Sequence, residues 1–442
     1  MNLLTDKIKT LYFKYLYAAF GGAMILCVYS IVDMAIVGQY QGPSGTAALA
    51  VVAPVWNIIF SLGLLMGIGG SVLFSIVRGN RNQRIGFKLS NEFFTTSVIC
   101  AVIISIIIWL LILFFEKEIL IFFGADKTLL YYAEKYMLPI LFVIPVFLFN
   151  QMLAAFLRND NNPNLATIGI LSGGIFNIVG DYIFVFTLDM EIFGAGLATA
   201  IGAVISFIVL ITHFLSKKNT LKLIWPKSVL KKVKQIGITG FSTFFIDIAM
   251  GILTILFNRQ IMLYLGSDAL AVYGPIINIS TFVQSCAYSV GQAAQPIISM
   301  NFGAKCSSRI KEVLKYSLYT VAFFSIFWTI LSLSYPNLYI RIFMNPTENV
   351  LNIAPEIIQI YSLSFILLPL NVFATYYCQA IVRPKAAFLI SILRGLILSG
   401  TLILILPKFF GGNSLWLTMP IAEFLTAIFA IYFICRYTKK LT

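Results

Sequence analysis

Charge is scarce in this chain. Of its 442 residues, 17 are acidic and one is histidine, and charged residues of both signs make up 11%. Soluble globular domains carry about 25%. With hydrophobic residues at 60%, there is too little polar surface to face water on all sides. An ordinary soluble enzyme and a disordered chain are both excluded. Cysteine is sparse too: the six residues include no CxxC pair, and most lie inside apolar runs. They imply no disulfide or metal framework and read as small, free, buried side chains. Catalytic signatures are missing. There is no HExxH, no Walker loop, no metal-spaced Cys/His cluster and no Ser/His/Asp set. The lone histidine, His213, is expected as a solvated residue at a helix end. The chain is therefore read as a non-enzyme without cofactor that cannot use ATP directly.

What the chain has in abundance is long apolar runs. A hydrocarbon core of ~30 Å takes about 20 residues of helix. Runs of that size lie near 13–37, 48–76, 90–115, 131–157, 163–187, 193–215, 236–263, 269–300, 310–334, 353–381, 385–408 and 412–436. Lipid offers backbone groups no partners, so these must be helices, and the runs are too long and continuous for barrel strands. The first stretch, MNLLTDKIKTLYFKYLYAAF, lacks a cleavable pattern and reads as a retained helix. The expected fold is an all-α integral membrane protein with twelve transmembrane helices in two pseudo-symmetric six-helix lobes.

The net charge of +14 is a topology signal, not a nucleic-acid footprint. If the chain starts inside, 24 of the 31 basic residues fall on inner segments, among them Arg78, Arg81, Arg158 and seven lysines between 217 and 234. Outside lie six: Lys117, Lys127, Lys135, Arg259, Arg341 and Lys408; Arg394 is within a span. Such a bias predicts an even number of spans with both termini cytoplasmic.

The chain also repeats. Residues 48–57, ALAVVAPVWN, match six of ten positions in 269–278, ALAVYGPIIN, at an offset of 221, and Pro163 and Pro384 share that offset. Six spans return the chain to its starting side, so the repeats are parallel. Such repeats place a cavity between the lobes for alternating access. The expected organisation is an N-terminal lobe at 1–216, a Lys-rich cytoplasmic linker at 217–234 and a C-terminal lobe at 235–442. Gly63 and Gly67, Gly169 and Gly173, and Ala198 and Gly202 lie four apart and suit close helix packing.

A carboxylate inside the hydrocarbon costs at least ~2.5–3.5 kcal/mol, which makes each one a candidate for function. Asp33, Asp181, Asp247 and Glu423 lie within spans. Counted along their helices, Asp33, Asp181 and Thr199 all fall ~8–9 Å beneath the outer face. Asn177 is one turn from Asp181 on the same helix face. Two acids, an amide and a hydroxyl at one level suit a hard cation, Na⁺ included, or shared protons. Two such acids close together cannot both ionise cheaply, which lets the site take up a proton on one side and release it on the other. Tyr29, one turn from Asp33, is placed to donate to it. Asp247, Tyr29 and Gln284 are expected along the substrate cavity. Arg394 and Glu423 fall at nearly one depth and are expected to form a structural ion pair.

These residues carry a resemblance. VDMAIVGQYQGPSGTAALAVVAP (32–54), RNDNNPNLATIGILSGGIFNIVGDYIFVF (158–186), GAGLATAIG (194–202) and GQAAQPIISMNFGA (291–304) resemble, in order, motifs of the MATE (multidrug and toxic compound extrusion) family. The DinF-like and MepA-like bacterial members are the nearest. The resemblance implies H⁺- or Na⁺-coupled export of amphipathic, often cationic small molecules across a bacterial inner membrane. It also implies that Asp33, Asn177, Asp181 and Thr199 form the cation or proton site. A helix 1 proline found in some members is absent, with Gly21 and Gly22 in that region. Asn161 stands where a glycine is usual between helices 4 and 5. Asp247 matches a helix 7 acid of the NorM-like branch, but helix 10 has no partner acid. A monomer is expected, with membrane lipid and small substrates as its only partners. The runner-up function is flipping of lipid-linked glycans within the same superfamily; a cavity dominated by acids disfavours pyrophosphate.

Overall fold

The computed structural model describes residues 2–80, 83–343 and 347–441. Arg81 lies outside them. Among the described residues every regular element is helical. Eleven helices are long and apolar enough to span a membrane: α1 Ile8–Gly42, α2 Ser44–Arg78, α3 Arg84–Phe122, α5 Pro163–Thr187, α6 Glu191–Leu215, α7 Val229–Tyr264, α8 Ser267–Gly303, α9 Ser307–Ser334, α10 Glu348–Ala380, α11 Pro384–Phe410 and α12 Gly412–Lys439. The remaining run, α4, is a bent pair, Lys127–Leu141 and Ile144–Asn159, with a 61° angle between its pieces. Pro139 within the first piece and a proline opening the second account for the break.

Internal repetition is visible in the turns. The turn between α4 and α5 passes through Asn161 at φ 60°, and that between α10 and α11 through Val382 at φ 52°. In each, the following amide reaches back to close the preceding helix: Asn162 to the Leu157 carbonyl at 2.9 Å and Arg383 to the Cys378 carbonyl at 2.8 Å. Pro163 and Pro384 then open the next helices. The left-handed conformation is natural for asparagine and strained for a β-branched valine.

The described chain forms two compact units. One comprises Met1–Asp6 and Tyr17–Phe244, the other Lys7–Leu16 and Phe245–Thr442. In the first unit the glycines seat helices on one another. A Cβ on Gly173 would lie 2.4 Å from the Gly202 carbonyl oxygen, so α5 and α6 meet backbone to backbone. Gly63 and Gly67 likewise meet α4 at Leu148 and Met152. Such close approach is how membrane helices gain packing energy where lipid gives no hydrophobic drive. In the second unit Gly291 lies against the Tyr376 ring, and Trp416 is fully buried near Tyr273.

Three expectations need correction. Only Cys100, Cys286 and Cys378 are buried; Cys27 and Cys306 are half-buried and Cys435 is exposed, because an apolar run in a membrane helix need not face the protein interior. The stretch 217–234 is not all linker, since α7 begins at Val229 and carries Lys231, Lys232 and Lys234. His213 is not solvated: it is fully buried. Its Nε2 lies 2.8 Å from Asp160 Oδ2, and its Nδ1 lies 3.1 Å from the Asn162 amide nitrogen. An amide nitrogen donates, so Nδ1 accepts and the proton sits on Nε2. Asp160 also accepts the Thr220 amide at 2.8 Å and the Thr220 hydroxyl, and Arg78 donates to that hydroxyl. The start of the linker is thus tied to α2, α4 and α6 through one buried carboxylate.

Candidate functional site

Four helices of the first unit bring their polar groups together. α1 carries Asp33, α4 carries Tyr136, α5 carries Asn177 and Asp181, and α6 carries Thr199. α1 is held on α5 by the Thr167 hydroxyl, which donates to the Ala18 carbonyl at 2.6 Å. α6 lies directly on the α4 backbone because Gly196 has no side chain; a Cβ there would be 2.1 Å from the Tyr136 carbonyl oxygen. Asp181 is the last residue before a π-helical turn, Tyr182–Thr187. Such wide turns alter the direction of side chains and recur at functional positions.

The polar groups form one connected chain. The Tyr136 hydroxyl donates to Asp33 Oδ2 at 2.9 Å and lies 3.5 Å from the Thr199 hydroxyl. The Asn177 amide donates to Thr199 Oγ1 at 2.9 Å and, more weakly, to Asp181 Oδ1 at 3.4 Å. All five side chains are buried. Three oxygens, Asp33 Oδ1, Asn177 Oδ1 and Asp181 Oδ2, have no hydrogen-bond partner. Buried acceptors left this way cost about 1–3 kcal/mol each, more when charged. A proton or a hard cation would satisfy them. Asp33, Tyr136 and Thr199 open onto a cavity of about 260 Å³ that Tyr29, Trp56 and Gln151 also line.

The structure thus brings Asp33, Asn177, Asp181 and Thr199 into one cluster. Tyr29 reaches the cavity but not the carboxylate: the hydroxyl on Asp33 belongs to Tyr136. Sequence reasoning passed over Tyr136 because a tyrosine in a span costs little and raises no flag, unlike an acid.

A second polar chain runs through the other unit. The Tyr288 hydroxyl donates to Asp247 Oδ1 at 2.9 Å and accepts the Gln284 amide at 2.9 Å. Arg394 donates to Gln284 Oε1 at 3.0 Å and to Glu423 Oε1 at 2.6 Å. Asn371 completes it, donating to Glu423 Oε2 at 2.7 Å. Arg394 lies within a π-helical turn, Leu393–Ile397, of α11. Gln284 is thus a bridge within this network, and Asp247 Oδ2 is left without a partner. Among the described residues, no group of three His, Cys, Asp or Glu converges. Each acid therefore depends on neutral donors or on Arg394.

Long apolar helices that bury hydrogen-bonded carboxylates define a polytopic membrane transporter. The chain belongs to the MATE family: the MatE model matches residues 19–183 and again 243–400. It is similar to the multidrug export protein MepA of Staphylococcus saprophyticus, 24% identical over 423 residues, covering 95% of this chain and 92% of that one. MepA of Staphylococcus aureus is 25% identical over 427 residues, again covering 95% and 92%. Among solved structures, the MATE multidrug transporter DinF-BH superposes with a TM-score of 0.89 at 26% identity, covering 98% of this chain and 96% of that one. An outward-facing MATE family transporter of the MOP superfamily gives a TM-score of 0.90 at 18% identity, covering 99% and 98%, and shares the fold.

Proposed function

We infer that the protein is a secondary multidrug efflux antiporter, exporting amphipathic or cationic compounds by alternating access in exchange for H⁺ or Na⁺. The observation that carries this reading is the cluster on α1, α4, α5 and α6: two buried carboxylates, hydrogen-bonded through Tyr136, Thr199 and Asn177, with three oxygens free to accept. No base neutralises these acids from within the cluster. A bound cation or proton therefore supplies the missing charge, and its binding competes with that of a cationic substrate in the adjoining cavity. The names of the similar proteins support the substrate class. The driving force is an ion gradient, with membrane potential contributing ~2.3 kcal/mol per charge per 100 mV. In this reading the lobes at 1–216 and 235–442 rock as a monomer in a bacterial inner membrane, and both termini are cytoplasmic.

The test is ethidium efflux from proteoliposomes with pH and Na⁺ gradients imposed separately. Efflux should follow one of the gradients. Asp33→Asn should abolish that coupling while its gel-filtration profile stays that of the parent. Undiminished gradient-driven efflux by the variant would refute the assignment.

A further inference from the structure

The segment between α6 and α7 combines the lysines of the topology signal with exposed large apolar side chains, a pairing that topology alone does not require. Between Glu191 and Asp247 the sequence contains no acidic residue, yet seven lysines lie between 217 and 234. One of them, Lys232, is buried and paired with Glu92 at 2.8 Å. The other six, Lys217, Lys218, Lys222, Lys227, Lys231 and Lys234, are exposed. Large apolar side chains are interleaved with them and are just as open: Leu215 at 89% exposure, Leu223 at 71%, Trp225 at 76% and Leu230 at 85%.

The backbone of this segment is not a loose loop. Over 219–226 it runs as a non-helical strap with Leu221 and Pro226 buried. Asp160 holds the Thr220 amide at 2.8 Å. Asn91 of α3 accepts the Lys222 amide at 2.8 Å, and Thr95 accepts the Ile224 amide at 2.8 Å. Asn91 and Thr95 lie about 10–17 Å along α3 from its start at Arg84. α3 is broken at Phe115, and its straight piece over 84–114 is about 46 Å of helix, longer than a ~30 Å hydrocarbon core, with the apolar run beginning only near residue 90, so its first turns project beyond the core. The strap is therefore fixed at the level where a span leaves the lipid. It presents an outward face of bare cations and unburied apolar groups.

We propose that this strap is a binding surface for anionic phospholipid headgroups. Leu223, Trp225 and Leu230 enter the acyl boundary, and the six lysines pair with lipid phosphates. Two features favour this occupant over a soluble acidic partner. The strap joins two membrane spans, so lipid is always beside it. Leucine and tryptophan side by side with lysine are also the composition of interfacial anchors. The first turns of α3 add exposed Arg84, Ile85 and Lys88 beside it, and Lys222 lies over the Phe87 ring.

The test uses the full-length protein in nanodiscs of phosphatidylcholine containing 30% phosphatidylglycerol, with bromine on the acyl chains of one lipid or the other. The Trp225 contribution to emission is isolated by difference against Trp225→Phe. Per mole of brominated lipid, phosphatidylglycerol should quench this contribution about threefold or more above phosphatidylcholine. Changing the six lysines to glutamine should remove the preference without altering gel filtration or melting. Glycerol phosphate in solution should not relieve it, since the acyl chains are part of the ligand. Equal quenching by both lipids would overturn the proposal. So would a preference that survives the six substitutions, or quenching of Trp225 by aqueous acrylamide alone. If the six-fold variant does not fold, Lys222→Gln with Lys227→Gln should halve the preference, and an unchanged preference there would overturn the proposal equally.

Discussion

Gly196→Ala is a small change made away from both carboxylates, and it should disable the site. The added methyl would lie 2.1 Å from the Tyr136 carbonyl oxygen and 3.0 Å from a Pro139 ring carbon, whereas ordinary contact begins at 3.4 Å. The gap to be opened is thus about 1.3 Å (3.4 less 2.1), and both obstacles are on the rigid first piece of α4. A hydrogen bond of 2.9 Å from Tyr136 to Asp33 does not survive a displacement of that size, because O–H···O bonds fade beyond about 3.0 Å. Overpacking of this kind costs about 1–3 kcal/mol of stability. The lost hydrogen bond to a charged group is worth about 1.5–3 kcal/mol, equivalent to a tenfold to hundredfold change in an equilibrium at about 1.4 kcal/mol per decade. Gradient-driven ethidium efflux in proteoliposomes should therefore fall by at least about tenfold. Tyr136→Phe, which removes the same bond without the clash, should fall similarly, and the double variant should be no worse than the more impaired single one. A folded Gly196→Ala protein with parental efflux would show that Tyr136 does not position Asp33. Losses that multiply in the double variant would show that the two residues act separately.

The other buried charges lead to two stability predictions. Asp160→Ala removes the acceptor shared by His213 and the Thr220 amide and hydroxyl, and the carboxylate 3.8 Å from Arg78, and should destabilise the protein by about 3–5 kcal/mol; thermal melts in detergent should show it, and an unchanged midpoint would mean that the linker is held elsewhere. Glu423→Met and Arg394→Met each strand a buried charge and should each cost about 3–5 kcal/mol, whereas the double substitution should cost less than either. Additive losses in the melts would refute a paired role.

The sequence announced the fold through a property that packing cannot override. Runs of 20 or more apolar residues have no alternative to helix in lipid, and each predicted run corresponds to a helix or to the bent α4. The acids of the site were equally legible, because a carboxylate in hydrocarbon is expensive enough to stand out by itself. The neutral members were not. Tyr136, Tyr288 and Asn371 carry no such cost, and only tertiary contact shows which of many hydroxyls and amides meet the acids. The burial of His213 is not legible either, because a position at a helix end says where the chain emerges but not what covers it; Asp160 and Asn162 do. Val382 in a left-handed turn is not legible for the same kind of reason: the turn is set by the Arg383 amide closing on the Cys378 carbonyl and by the helix that Pro384 opens, not by any preference of valine.

The repeat also explains why the two units differ chemically while sharing a frame. At the offset of 221, Gly173 corresponds to Arg394, Gly202 to Glu423, Gly63 to Gln284 and Gly67 to Tyr288. Where the first unit packs α5 on α6 through bare backbone at Gly173 and Gly202, the second places an ion pair at 2.6 Å. Asn150 and Asn371, again 221 apart, serve the same purpose in both units. Each donates across the equivalent helix pair, to the Ala203 carbonyl and to the Glu423 carbonyl, both at 2.9 Å. In the opposite direction, Asp33, Asn177 and Asp181 correspond to Thr254, Leu398 and Leu402. Glycine at a helix contact leaves no room for a polar chain, and an ion pair there needs the helices held apart by its own bulk. Each unit therefore builds its polar chain where the other is tightly packed or carries no charge. The consequence is a difference in charge. In the second unit Glu423 pairs directly with Arg394 and Asp247 is linked to it only through Tyr288 and Gln284, whereas the acids of the first unit have only neutral donors and three oxygens without partners. A site that exchanges one cation for another must lack a resident one, and on that ground the first unit is where coupling should be sought.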